Sequence, residues 1–416
     1  MIKNPRRVLA LSCAALIAVA PLAAVTSATA ATSTAGTAAA ATVTGSTRGA
    51  LVKAERSAHL SGKQVNDYLG NAGFPAIENA KGIDVYSVTY RTVDVQGRPT
   101  TATGAVVLPR VPAHNLRVVS YAHGTMATRK DAPSVETQTD GSYLAAYFAT
   151  HGFAAVAPDY LGLGGGPGPH PYMHTATEAG ASLDLLKAAR TLAGQKQVTL
   201  DRRILVTGFS QGGHAAMALG AALQKDEELD VAAVAPVSGP FDLEDAELPA
   251  ALHGGLDERS ATFYLAYWLT SMDRIYNLYA TPAQAFRPPY DKKITNLLDG
   301  SQDFDTIVAG LPPTVEKLLT PGYLKQLDKP SGALLKAIRA NDTTCRDLRP
   351  GVPVRLFAAN GDRDVAIANS VSCLKDLRSK GFDASLTDVG DVDHTGSVMR
   401  SMPQVLDWFR QEADKE

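Results

Sequence analysis

The sequence predicts an α/β protein: a mostly parallel sheet with helices on both faces, interrupted late in the chain by a helical insertion. Three observations predict it. Short, almost wholly apolar runs recur at Val118 to Ala122, Ala154 to Ala157, Ile204 to Thr207, Val231 to Val237, Val354 to Ala359 and Ala384 to Val389. Helical stretches separate them, and strands that are apolar on both faces belong to a sheet covered on both sides. The spacing then breaks once, because the run ending at Val237 and the one starting at Val354 lie much further apart than the roughly 30 residues of a simple crossover.

The chain opens with Lys3, Arg6 and Arg7 before an apolar run from Val8 to about Val25, and Ala28-Thr29-Ala30 fits a small-residue cleavage pattern. This reads as a secretory signal peptide over residues 1–30, favoured over a membrane anchor by its Ala-rich composition and its cleavage site. Cys13 lacks the surroundings of a lipoprotein cysteine. Removing three cations leaves 37 Lys and Arg against 42 Asp and Glu, a net charge of −5. That balance points away from nucleic acid. Residues 31–50 are almost entirely Ala, Thr, Ser and Gly, too poor in large apolar groups to offset chain entropy, and read as a disordered linker. The two cysteines outside the signal, Cys345 and Cys373, form an even number in an oxidising compartment and are expected to be bonded.

Alternating apolar residues over Ile83 to Tyr90 and Thr101 to Leu108, with Gln96-Gly97-Arg98-Pro99 between them, predict an antiparallel hairpin ahead of the parallel strands. The core is expected over 51–240 and 351–416, with the insertion over 241–350. That insertion carries the aromatic, helix-like Phe263 to Leu269 and Tyr276 to Tyr279, where a cap over an active site would sit. Tyr264, Tyr267, Trp268 and Tyr276 are candidates for its pocket, with core packing as the alternative.

Gly208-Phe209-Ser210-Gln211-Gly212 follows the β-like Arg203 to Thr207 and precedes the helix-like Gly213 to Ala218. A strand entering a helix through one sharp turn holds a serine nucleophile in a strained conformation, and the two glycines let the backbones pass closely. This context singles out Ser210. A serine hydroxyl needs a base, and the base needs a carboxylate to fix its tautomer. Chain order in such folds is serine, acid, histidine. Of the nine histidines only His394 follows the strand ending at Ala359. That strand runs into Asn360-Gly361-Asp362-Arg363-Asp364-Val365. In related folds the acid usually stands three residues after such a glycine and three before an apolar residue, a resemblance that selects Asp364, between Gly361 and Ile367, over Asp362, which would shape the turn; Asp391 and Asp393 are weaker alternatives.

An acyl-transfer site also needs donors for the developing oxyanion. The backbone N–H of Gln211 comes with the elbow. Tyr121-Ala122-His123-Gly124-Thr125-Met126 offers the second, assigned to Thr125 with Gly124 or Met126 as alternatives. The Gly- and Pro-rich stretch from Pro158 to Tyr172 reads equally as a pocket wall or as scaffolding. His170 and His174 have helical metal-ligand spacing without an evident third ligand, and no metal is expected.

Tyr-Ala-His-Gly-Thr, then Ala-Pro-Asp-Tyr-Leu-Gly-Leu-Gly with His-Pro-Tyr, then Gly-Phe-Ser-Gln-Gly-Gly and Gly-Pro-Phe-Asp-Leu resemble the secretory lipase family, over about residues 80–412. The resemblance implies the α/β-hydrolase fold, a helical lid before the acid-bearing strand, and hydrolysis of carboxylic esters, triacylglycerols included. It implies Ser210, Asp364 and His394 as the triad, Thr125 and Gln211 as the oxyanion donors, and no cofactor. A small-molecule or lipid ester is the expected partner, with transient contact to a lipid interface and a monomeric state. The rival readings are a secreted serine exopeptidase or acyltransferase using the same triad, and a binding or envelope protein that kept the fold and lost the reaction.

Overall fold

The computed structural model describes residues 47–415; the expected signal peptide and most of the expected linker lie outside them. The linker's last four residues are already packed: Gly49 donates its N–H to the Arg91 carbonyl, and Arg48 pairs with Asp184.

Nine strands form one sheet: β1 (Leu51–Leu60), β2 (Ile83–Val93), β3 (Pro99–Pro109), β4 (Asn115–Ala122), β5 (Ala154–Pro158), β6 (Thr199–Phe209), β7 (Asp230–Val237), β8 (Val354–Ala358) and β9 (Ala384–Asp388). Their order is β1-β2-β3-β5-β4-β6-β7-β8-β9. The pairs from β5 to β9 are parallel, and β1, β2 and β3 join antiparallel at one edge. Each of the six apolar runs is a parallel strand, and the two alternating runs are β2 and β3. Their turn is built by Asp94, whose carboxylate accepts the N–H groups of Gln96 and Arg98, while Gly97 takes a φ of 78° that favours glycine.

Alternation along the central strands divides the core. Val118, Ile204 and Val206 face one side, where they pack with Leu185 of α3 (Thr175–Gln195), Met217 of α4 (Gln211–Leu223) and Leu377 of the helix Ala368–Ser379. Val119 and Leu205 face the other side, with Val65 of α1 (Gly62–Asn71), Phe148 of α2 (Asp140–Thr150) and Phe409 of the final helix His394–Ala413. Burying each such side chain stabilises the fold by roughly 1.5–3 kcal/mol before chain entropy is counted, so both faces hold the helices. This is the α/β-hydrolase fold.

Between β7 and β8 a set of short helices, with the longer Glu258–Tyr276 among them, packs around its own core of Phe263, Leu265, Trp268, Phe286 and Leu319. The disulfide Cys345–Cys373, with Cα atoms 5.4 Å apart, ties the end of this insertion to the helix after β8. Closing a loop of that length removes about 3.5 kcal/mol of unfolded-state entropy as an upper limit. Cys345→Ala with Cys373→Ala is accordingly expected to lose up to that much in denaturant unfolding; reductant should lower the parent protein's midpoint and leave the variant's unchanged.

Candidate active site

The parallel strands all end at one edge of the sheet, where open α/β sheets present their ligand sites. Four chain segments converge there: the loop after β4, the turn from β6 into α4, the loop after β8 and the start of the final helix.

Ser210 sits between β6 and α4 with φ 59° and ψ −123°, a left-handed conformation that serine avoids unless its surroundings enforce it. They do. The Ser210 N–H donates to the Val237 carbonyl at 2.9 Å. A Cβ on Gly208 would stand 2.1 Å from the Gly212 carbonyl oxygen, and one on Gly212 would stand 1.9 Å from that of Ala122. Both glycines are therefore required by backbone contact, as the elbow reading expected.

His394 opens the final helix, whose N-cap Asp393 accepts the Gly396 N–H. Its ring lies 4.4 Å from that of Phe209, the residue before Ser210. Nδ1 contacts Asp362 Oδ2 at 2.7 Å, in a pair almost removed from solvent. Because the carboxylate can only accept, Nδ1 carries the proton and Nε2 presents its lone pair. Nε2 is buried and without a hydrogen-bond partner among the described residues, Ser210 Oγ included. Burial opposes the imidazolium, but the Asp362 hydrogen bond and the carboxylate's charge outweigh it and hold the His394 pKa above 6.5.

The carboxylate that pairs with His394 is thus Asp362 rather than the Asp364 selected from sequence spacing. Asp362 Oδ1 accepts the N–H groups of Asp364 and Val365, which curls the loop and leaves Oδ2 for His394. Asp364, two residues on, lines the pocket instead. Either aspartate fitted the strand end; the side-chain-to-backbone turn decided between them.

The Gly124 N–H is taken by Asp140 Oδ2 at 2.9 Å, which removes that alternative as an oxyanion donor. No acceptor among the described residues takes the N–H of Thr125 or of Gln211. A Cβ on Gly124 would stand 3.6 Å from that of Ser210, so the Thr125 loop runs directly past the serine. The Thr125 hydroxyl is held by Tyr172 at 2.8 Å.

A buried polar network that gave no signal in the sequence anchors Gln211. Its Nε2 donates to Glu178 Oε1 at 2.8 Å and to His170 Nε2 at 3.0 Å. His170 can accept there because Nδ1 donates to the Leu161 carbonyl, and burial pushes its pKa down to about 4. Glu178 also accepts from His214 Nδ1 at 2.7 Å, and His214 Nε2 meets the Asn341 carbonyl of the insertion. Burial disfavours the His214 cation, yet Glu178 outweighs it and raises the pKa.

The stretch from Pro158 to Tyr172 divides between its two readings. Asp159 is scaffolding, fully buried and accepting from Thr103 and Ser134. Tyr172 and Met173 wall a pocket. His170 and His174 are committed to separate partners, Leu161 and Gln211 for the first and Thr177 for the second. Among the described residues no group of three or more His, Cys, Asp or Glu side chains is placed to hold a metal ion.

Above Ser210 the insertion closes an apolar pocket, part of it open to solvent, with Leu248, Leu256, Tyr264 and Trp268 in its wall. A wider, more polar recess shares Tyr264 and Asp364 with it and runs past Thr125 to Arg259. The candidate aromatics divide accordingly. Tyr264 and Trp268 face the pocket, whereas Tyr267 stacks on Tyr172 at 4.4 Å and donates to the Met126 carbonyl. Tyr276 lies near His174, at 6.2 Å between ring centres.

Residues 121–406 match the alpha/beta hydrolase family. No curated protein matches the chain. Among solved structures, a protein of Legionella pneumophila described as a hydrolase is 28% identical, with a TM-score of 0.78 over 88% of this chain and 99% of that one. The rice cell wall degrading esterase LipA from Xanthomonas oryzae is 25% identical, with a TM-score of 0.77 over 88% of this chain and 98% of its own. Candida antarctica lipase A in its closed state shares the fold at 13% identity, with a TM-score of 0.65 over 88% of this chain and 83% of its own. Matched by the family over most of its length and carrying the same sheet as these hydrolases, the chain belongs to the alpha/beta hydrolase family.

Proposed function

We propose that the protein is a secreted carboxylic ester hydrolase that works through an acyl-enzyme on Ser210. The observation that carries this reading is the 2.7 Å contact between His394 Nδ1 and Asp362 Oδ2, which leaves a buried, unpartnered Nε2 beside the serine elbow. In the first step Nε2 takes the Ser210 proton as Oγ adds to the acyl carbonyl, and Asp362 stabilises the imidazolium. The N–H groups of Thr125 and Gln211 receive the oxyanion. The imidazolium then protonates the departing alcohol. In the second step the same nitrogen activates water, which releases the acid and restores Ser210. No cofactor enters.

The apolar pocket suits an acyl chain better than the flanking peptide of a protease substrate, and the resemblance to secretory lipases points the same way. Export is supported by the N-terminal pattern and the disulfide. Among the described residues no helix is long and apolar enough to cross a membrane.

Chromogenic esters of graded acyl length, set against aminoacyl anilides, test the assignment. Ester turnover is expected, and anilide cleavage without ester turnover would overturn it. The same assay gives a pH prediction. Neutral His394 is the base and its cation is inactive, so kcat/KM should rise with pH through a limb centred above 6.5, because the pKa is raised. A limb centred below 6.5 would contradict the pairing with Asp362.

A further inference from the structure

The pocket above Ser210 contains a carboxyl group that the proposed reaction does not use. Glu247 ends the short helical turn Leu243–Glu247 where the insertion leaves the core, and it lines the pocket beside Ser210 and Tyr264. One oxygen, Oε2, is satisfied: it accepts the Ala366 N–H at 3.2 Å and the Asn369 amide at 2.6 Å. The other, Oε1, has no hydrogen-bond partner among the described residues and is not sealed from solvent, and the pocket that Glu247 lines also has Leu248, Leu256 and Trp268 in its wall. A ligand group that covered Oε1 without hydrogen-bonding to it would strip its water and leave it unpaired, whereas a hydroxyl placed there would replace the lost hydrogen bond. Catalysis does not call for it, since Asp362 already serves His394.

We propose that Glu247 is a specificity determinant that selects hydroxylated acyl groups, its Oε1 hydrogen-bonding a hydroxyl on the acyl chain of an ester whose carbonyl lies at Ser210. This rests on the ester-hydrolase reading. The acyl side is chosen because this pocket is the apolar one touching Ser210, whereas the polar recess past Thr125 leaves room for the alcohol and for water. The ionisable groups around Glu247 are Asp362 and Asp364 from the loop after β8, His394 from the final helix, and Tyr172 and Tyr264 from the pocket wall. Burial pushes the Glu247 carboxyl up to about 7, with the Asp362 charge adding to the shift, so both protonation states are populated near neutrality. A hydroxyl serves either state because it donates and accepts. An ammonium group would need the ionised carboxylate and further acceptors that the apolar wall does not offer. A plain alkyl chain would cover Oε1 and leave it unpaired.

The test is hydrolysis of methyl hexanoate, methyl 3-hydroxyhexanoate and methyl 6-hydroxyhexanoate, followed by acid release, in the wild type, Glu247→Gln and Glu247→Met. At least one hydroxy ester is expected to exceed the hexanoate in kcat/KM by about tenfold in the wild type. Glu247→Gln, which keeps both a donor and an acceptor, should retain a preference, and Glu247→Met should bring the ratio to one or below. A wild-type ratio at or below one for both hydroxy esters overturns the inference however the variants fold, as does a preference that survives Glu247→Met. Failure to turn over any ester removes the hydrolase reading beneath it; ester turnover without hydroxyl preference removes this inference alone.

Discussion

Asp362→Asn is expected to lower kcat for a chromogenic ester by about 10⁴-fold, while Asp364→Asn stays within about tenfold of the wild type. The difference follows from which atoms the two side chains touch. In Asp362→Asn the retained Oδ1 can still accept the Asp364 and Val365 N–H groups, so the loop keeps its curl. The new amide then faces His394 Nδ1 with its hydrogens and forces the imidazole proton onto Nε2. The base loses its lone pair at the atom that must take the Ser210 proton. Asp364 meets no histidine and stands at the pocket wall, so its replacement changes substrate contacts and not the tautomer. Parallel kcat measurements on the two variants check this, and the reverse ranking would restore the acid chosen from spacing.

Ser210→Ala is expected to reduce kcat by about 10⁵-fold or more, because no other hydroxyl stands in the elbow to attack. Its folded state should be unharmed, since the Ser210 side chain makes no hydrogen bond that the fold uses. The companion Ser210→Gly separates catalysis from stability. Serine is held at φ 59° by the Val237 carbonyl and by the close passage of Gly208 and Gly212. Glycine adopts that angle without penalty, so Ser210→Gly should gain about 1 kcal/mol in denaturant unfolding while being as inactive as the alanine variant. A loss of stability in the glycine variant would mean that the strain read from the backbone is not borne by this residue.

How much of this was readable from sequence depends on whether a residue's role is set by its neighbours along the chain. The strands β4 to β8 were legible because the stretches of a strand that are covered on both faces are apolar, whereas β9, at the sheet edge, is mostly half-buried or exposed. The hairpin was legible because β2 and β3 alternate over a turn that Asp94 and Gly97 close. The elbow was legible because Gly208 and Gly212 flank Ser210 between a β-like and a helix-like run, although the closest contact that demands Gly212 comes from Ala122 on a strand distant in sequence. β1 was not: Lys53, Glu55 and Arg56 lie exposed on an edge strand, and an edge that carries charge against further pairing shows no apolar period. The choice between Asp362 and Asp364 depended on which carboxylate captured two backbone N–H groups, a local competition that residue spacing does not resolve. Glu178, His214 and Glu247 are enclosed and hydrogen-bonded by segments distant in sequence. Nothing in the one-dimensional pattern separates them from surface acids and bases.

Fluorophosphonate labelling followed by intact mass and peptide mapping tests most directly whether Ser210 is the nucleophile driven by His394 and Asp362. One adduct per chain is predicted, on the peptide containing Ser210, absent in Ser210→Ala and formed far more slowly in Asp362→Asn than in Asp364→Asn. An unlabelled native protein, or an adduct on any other residue, would contradict it.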